Sequence, residues 1–372
     1  MAELFSPIVL LFIIIFAGLC LGKFRICGVS LDVSAVLLVS LLFGVIAQTV
    51  GSFTVGEVKM YLYNDSQKSI YGFLSSLGTS LFISTVGIDA GISFAKCNNR
   101  FKWRAFLSGA LVVLIGAVSS VIFFLTDDYL SNAMLMGIFA GSMTSTPALS
   151  SACELCIDNS SVVAGYGMSY CCGLLSVVIF VQLMAKKQLG TILEKGIEEK
   201  SRTYKNTGEI NVLFLICGLI PLGYVLKQIL PFGATGGILF ISVLLGIIIA
   251  KKGFKISRYD NFRDLGLVLF FVGSGVPAGA TVREGFSFKW LVYGLCVSVI
   301  AITVGYLSAK KIYGFSKVQT LSVICGGMTS TPAIGALKNI CKNVDLSLYV
   351  MSYAGALIML LISVRCLFCL IQ

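Results

Sequence analysis

A polar nine-residue run, Gly141–Leu149 (GSMTSTPAL), interrupts an apolar stretch and returns 185 residues later as Gly326–Ile334 (GGMTSTPAI). Such a run breaks a helix and frees backbone groups that lipid cannot satisfy, so protein or water must take them up. The echo is wider than the run itself. Tyr166-Gly167-Met168-Ser169-Tyr170 is matched by Tyr349-Val350-Met351-Ser352-Tyr353, and Gly87-Ile88-Asp89-Ala90-Gly91 by Gly275-Val276-Pro277-Ala278-Gly279. Phe101-Lys102-Trp103 returns as Phe288-Lys289-Trp290, which places both tryptophans at matched points. Blocks in the same order at nearly constant offset mark a duplication: residues 1–185 and 208–372 are two copies of one unit, joined by a charged linker, 186–207.

Of the residues, 57% are hydrophobic and only 12% charged, with a mean hydropathy of +0.95, too few polar groups to cover a soluble globule of 372 residues. The fold expected is an all-α polytopic membrane protein lying in a lipid bilayer. The first apolar run, Leu4 to Leu21, is preceded by Glu3 and no basic residue, so it is read as a retained span and not as a signal peptide. The net charge of +11 is spread over short loops and gives no reason to expect a nucleic-acid partner.

Short basic loops stay in the cytoplasm. Lys23 and Arg25, then Lys96, Arg100, Lys102 and Arg104, mark two inner loops of the first copy, whereas Asp127 and Asp128 mark an outer one. The linker, which begins with Lys186 and Lys187, is also expected inside. The run containing TSTP therefore enters from outside and returns, giving five transmembrane helices and one re-entrant hairpin per copy. Five crossings turn the second copy upside down, with both chain termini outside. The charges invert accordingly: Lys251, Lys252, Lys255, Arg258 and Arg263 occupy one formerly neutral loop, and Lys310, Lys311 and Lys317 replace the acidic one. Inverted repeats with broken helices are an architecture of secondary transporters.

The two TSTP runs and the paired openings Leu77-Gly78-Thr79-Ser80-Leu81-Phe82 and Leu265-Gly266-Leu267-Val268-Leu269-Phe270 resemble the aspartate:alanine exchanger family of bacterial membrane transporters. The resemblance covers nearly the whole chain. It implies a bacterial cytoplasmic membrane and exchange of small carboxylates or amino acids, such as aspartate for alanine, or of dicarboxylates such as succinate. Familiar members carry a cytoplasmic regulatory domain between the halves, where this chain has about twenty residues, Lys186 to Lys205.

The motif has its own chemistry. Pro147 and Pro332 disfavour helix in the residue before them, which predicts extended Thr146 and Thr331 and a helix restarting at each proline. Two hairpins entering from opposite faces would aim helix N-termini at the midplane, each with free N–H donors and partial positive charge. Thr144, Ser145, Thr146, Thr329, Ser330 and Thr331 add hydroxyls, so a carboxylate can be held without buried lysine or arginine; capping the broken helices is the alternative use of those hydroxyls. Ser169, Tyr170, Ser352 and Tyr353 either line that site or lock the hairpins in place.

Asp89, in an apolar span and matched by Pro277, is the candidate ion or proton site, since intramembrane carboxylates mark ion or substrate pathways. A structural cap or pair near the interface is the other reading. A sodium- or proton-coupled symporter or a channel centred on Asp89 is thus the alternative to exchange. Thirteen cysteines are scattered through apolar spans, and Cys153 and Cys156 lack a second pair for zinc. With no histidine and no Gly-x-x-x-x-Gly-Lys loop, the sequence points to no metal, no cofactor and gradient-driven transport. Small-residue spacings such as Gly137 with Gly141 fit close helix approach. An elevator is expected, the third to fifth spans of both copies sliding past a scaffold of the first two, and that scaffold is expected to form a homodimer.

Overall fold

A computed structural model describes residues 7–26, 29–30, 33, 35–55, 58–63, 65–95, 100–186, 208–226, 233–257, 259–281, 288–341 and 344–371. The linker expected over 186–207 lies, beyond Lys186, outside the described residues. The protein is an all-α polytopic membrane protein. In the first half the helices are α1 (Pro7–Gly22), α2 (Ala35–Val50), α3 (Asp65–Ala95), α4 (Arg100–Leu125), α5 (Asn132–Ser142), α6 (Thr146–Leu155) and α7 (Asn159–Lys186). In the second they are α8 (Val212–Leu226), α9 (Gly233–Lys252), α10 (Tyr259–Thr281), α11 (Phe288–Lys311), α12 (Lys317–Gly327), α13 (Thr331–Ile340) and α14 (Leu346–Ile371). The order repeats, with α5–α6 and α12–α13 as the broken pairs.

Helix is forced on these segments because lipid offers no partner to a backbone N–H or C=O. Seven of them, α3, α4, α7, α9, α10, α11 and α14, are long and apolar enough to cross a membrane. At 15 or 16 residues, α1, α2 and α8 reach only about 24 Å at 1.5 Å per residue, short of a ~30 Å hydrocarbon core. Short strands sit between helices: β1 (Arg25–Ile26) with β2 (Val29–Ser30) and β3 (Ser52–Val55) with β4 (Val58–Tyr61) are antiparallel, while β5 (Gly208–Asn211) runs parallel to β6 (Phe254–Ser257).

The two halves meet about a pseudo-twofold axis. At its centre α3 crosses α10, and each lacks a side chain where the other's backbone passes: a Cβ on Gly78 would overlap the Phe270 N and Gly266 O, and one on Gly266 would overlap the Phe82 N and Gly78 O. Further along, Gly273 lies against Tyr71 and Ser75, so residue numbers rise on one helix as they fall on the other. Matched helices running antiparallel give the halves opposite orientation. The loops agree. Ala105 and Phe106 pack beside Ala309 and Phe315, while their matched region, Trp290 and Tyr293, packs beside Leu130 and Met134 at the opposite ends of the helices.

The grouping of helices differs from the sequence expectation. α3 packs on α9 and α10 packs on α2, so both belong with the first two helices of the halves and not with the hairpins. The cause is the glycine surface: Gly91 and Gly246 meet across α3 and α9, as Gly279 and Gly44 do across α10 and α2. The hairpins lie in a second group of α4–α7 and α11–α14, where α4 packs on α14 and α11 on α7.

That second group is pinned by an ion pair between the halves, its carboxylate buried and its lysine half exposed. Asp127, in the turn after α4, is 3% exposed, and Lys289 Nζ stands 2.9 Å from its Oδ1, which also accepts from the Tyr129 N–H at 3.2 Å. Burial pushes the Asp127 carboxyl up, but hydrogen bonds from Lys289, the Tyr129 backbone and Tyr293, with the Lys289 charge, outweigh it and hold the group below its ordinary value. A depressed folded pKa stabilises above the unfolded value, about 3.9, and loses that contribution as pH falls through the folded one. Acid titration of the purified protein should therefore show a stability loss below about pH 4 that Asp127→Asn diminishes. Separately, Gly78→Ala should lower the melting temperature despite better helix propensity, by overpacking worth about 1–3 kcal/mol. Gly72→Ala, with open space around it, should not.

Candidate functional site at the hairpin tips

Each TSTP run closes one helix and opens the next in five residues. In the first half Met143 ends α5; the Thr144 N–H donates to Gly141 O at 2.8 Å and the Ser145 N–H to Ala140 O at 2.9 Å. In the second, Thr329 N donates to Gly326 O and Ser330 N to Cys325 O, both at 2.9 Å. This 5→2 and 6→1 pattern is a Schellman cap, whose turning residue is left-handed and usually glycine. Here it is threonine. Thr144 and Thr329 have φ of 52° and 51°, which costs a β-branched residue about 1–2 kcal/mol.

The threonine hydroxyls explain why glycine does not stand there. Thr144 Oγ1 donates to Met328 O at 2.5 Å, and Thr329 Oγ1 donates to Met143 O at 3.0 Å. The tips of the two hairpins are thus joined by reciprocal hydrogen bonds across the pseudo-twofold axis, from side chains that glycine lacks. The same bonds occupy the end carbonyls of α5 and α12, which are buried in this arrangement.

Ser145 and Ser330 are extended, with φ/ψ of −108°/105° and −97°/103°, and their hydroxyls accept from the Ala148 and Ala333 N–H groups at 3.3 Å. They are N-caps. The extended residue expected at Thr146 and Thr331 is therefore one position earlier: those threonines are the first residues of α6 and α13, and Pro147 and Pro332 take the second helical position. A serine that serves as the end of one cap and the start of the next leaves no room for another extended residue. Thr146 Oγ1 lies 3.4 Å from Tyr166 Oη. Among the described residues, the Thr146 N–H has no acceptor. The side chain of Thr331 lies outside the described residues.

Ser145 is fully buried and Thr144 and Thr146 nearly so, which closes the tips to solvent in this arrangement. Each tip holds a helix N-terminus, and hydroxyls tie the two tips together. Ser142 and Ser298 extend the polar core: Ser142 Oγ donates to Gly294 O and Ser298 Oγ to Ser142 O, both at 3.0 Å. Neither was singled out by sequence, because serine is common in such helices and only the second half's α11 reveals the partner.

Ser169 and Ser352 lie in the packing that locks each hairpin to the helix after it. Ser169 Oγ fills the space beside Gly141, and Ser352 Oγ donates to Val323 O on α12 at 2.6 Å. Tyr170 stacks on Tyr166 at 5.2 Å between centroids, and Tyr353 tilts against Tyr349 at 5.9 Å. Tyr166 and Tyr349 were visible as repeated residues; that Tyr166 reaches a motif threonine needed the fold.

Asp89 is exposed within an otherwise buried stretch of α3 and stands about 15 Å along the helix from Thr79, which meets the first hairpin. Along α3, Asp89 therefore stands away from the point where that helix meets the first hairpin. Cys153 and Cys156 are free thiols at the end of α6, and Cys156 caps it as Cys341 caps α13.

Residues 10–186 and 211–369 match, one after the other, the family Asp-Al_Ex, described as a predicted permease membrane region. The chain belongs to this family. It is 33% identical over 182 residues to an uncharacterized transporter of Rhodopirellula baltica, and 29% over 196 residues to one of Bacteroides thetaiotaomicron. An uncharacterized transporter of Desulfotalea psychrophila is 30% identical over 206 residues. These alignments take in 49%, 52% and 54% of this chain but only 30%, 31% and 34% of the relatives, so the chain is matched to about a third of each relative's length. As an Asp-Al_Ex member the protein is a multi-pass membrane protein of a transporter family.

Thr144→Ala should lower the melting temperature by an amount equivalent to about 1–3 kcal/mol, because it strands the buried Met328 carbonyl. Thr144→Ser should retain most of it, and Thr144→Gly should fall between, relieving the backbone but losing the bond. Equal melting of Thr144→Ala and wild type would contradict the reciprocal tie.

Proposed function

We propose that this Asp-Al_Ex protein exchanges small carboxylates or amino acids, aspartate for alanine or a dicarboxylate among them, by alternating access at the hairpin tips. The observation that carries this reading is that the reciprocal Thr144 and Thr329 bonds bring the two hairpin tips together, each tip holding a helix start, that of α6 or α13. Each contributes roughly half a positive charge in a setting of low dielectric. The C-terminal ends of α5 and α12 at the same tips offset part of that charge, and a carboxylate would use what remains while accepting from the Thr146 N–H. Thr146, as the first residue of α6, is best placed to donate a hydroxyl, and Thr331 is its repeat-matched counterpart in sequence; Thr144, Ser145, Thr329 and Ser330 shape the tips.

The division of helices supports an elevator. α1–α3 and α8–α10 form one group, α4–α7 and α11–α14 the other, and the tied tips would travel with the second. A cation-coupled reading is favoured by one feature, the exposed Asp89 carboxylate that the duplication did not supply to the second half.

In proteoliposomes loaded with unlabelled aspartate, alanine or succinate, uptake of the labelled compound should rise over empty vesicles. Thr146→Ala should cut it about tenfold or more, the effect of losing one hydrogen bond to a charged group. Uptake that ignores trapped substrate, follows a sodium or proton gradient and is lost in Asp89→Asn would replace exchange with symport.

A further inference from the structure

The first hairpin carries a carboxylate that grips the other helix group. Glu154, near the end of α6, accepts from the Thr235 N–H at 2.8 Å through Oε1 and 2.9 Å through Oε2, and the Thr235 hydroxyl also donates to Oε1. Thr235 is the third residue of α9, so the negative charge sits on a helix N-terminus, where dipole and unpaired N–H groups favour it. Gly233, with φ of 70°, lies against Oε2, and a Cβ there would overlap the carboxylate. One turn closer to the tip, Ser150 Oγ is 3.2 Å from Thr79 Oγ1 on α3 and 3.3 Å from Thr235 Oγ1. Ser150 and Thr235 are buried, so this polar seam is sheltered from solvent on its inner side.

The seam is not part of the duplication. Aligned on TSTP, Gly335 stands where Ser150 does and Asn339 where Glu154 does, so the second hairpin carries no carboxylate at this point. Yet the two tips are tied to each other through Thr144 and Thr329. Any sliding of the paired hairpins along α3 and α9 must therefore break the Glu154–Thr235 contact on one side, with nothing of like charge to replace it on the other.

We propose that Glu154 is a positioning residue: it latches the hairpin group to the α3–α9 face and sets how much of the population holds the closed arrangement described above. Its relevance to transport rests on the proposed function, but the latch itself does not. Removing it frees the hairpin group to move without unfolding either group.

The test is hydrogen–deuterium exchange on the full chain in lipid nanodiscs, comparing wild type, Glu154→Gln and Thr235→Ser. No substrate is needed, so the outcome does not depend on which solute is carried. The proposal expects segments 148–156 and 233–239 to exchange about tenfold faster in Glu154→Gln, the size of effect that loss of one charge-assisted hydrogen bond produces. The α12 segment 318–326 should exchange as in wild type, and Thr235→Ser, which keeps both donors, should behave as wild type throughout. Unchanged exchange at both segments would overturn the latch. So would exchange that rises equally throughout, α12 included, because that is the mark of a merely structural contact. A functional arm separates the two readings: if exchange shifts as expected but none of the three carboxylates is transported, the latch stands and the substrate assignment falls.

Discussion

Everything in this protein depends on breaking two helices inside an apolar environment without leaving their ends unpaired. The solution is local and repeated. A left-handed threonine closes one helix, a serine is at once the last residue of that cap and the first of the next, and proline follows at the second helical position. Reciprocal Thr–carbonyl bonds then join the two breaks. Each bond is worth about 1 kcal/mol net, but an unpaired buried carbonyl would cost about 1–3 kcal/mol, so the pairing matters more than the bonds' own strength. The left-handed strain is accepted because only a side chain at that position can reach the opposing tip.

From that tie follow the symmetry and the chemistry. The tips can meet as equals only if the halves face in opposite directions, and the antiparallel crossing of α3 and α10 at Gly78 and Gly266 is the same requirement met by the rest of the fold. Each tip also carries a helix start, so the proposed site would draw its positive character from backbone in a region where lysine or arginine would be costly to bury. Asymmetry is added afterwards, on the flanks: the carboxylates of Asp127, Asp89 and Glu154 have no acidic counterpart in the matched segments of the second half.

Much of this was legible in the chain. Two TSTP runs at constant offset, with charge bias inverting between matched loops, suffice to deduce duplication, helix breaks and opposed orientation. What was not legible has physical reasons. Proline placed the break within one residue, but proline rules speak only of the preceding residue and say nothing of a cap shared by two helices, so the extended position was assigned to Thr146 and not Ser145. The partners of Thr144 and Thr329 lie in the opposite half and leave no local signal. The grouping of α3 and α10 was missed because these helices are apolar around much of their circumference, and only the glycines that meet across them identify the faces. Glu154 drew no notice in the sequence, since nothing in its own half shows that it caps α9.

The most direct test of the account is substrate protection at the two helix starts. Cysteine would be placed singly at Thr146 and at Thr331 in a background without other reactive thiols, and its labelling by a small methanethiosulfonate followed in membranes with and without aspartate or succinate. If both N-termini hold one anion, the same carboxylate slows labelling at both positions over the same concentration range. Protection at one position alone, or at neither while transport persists, would contradict a site shared by the two hairpins.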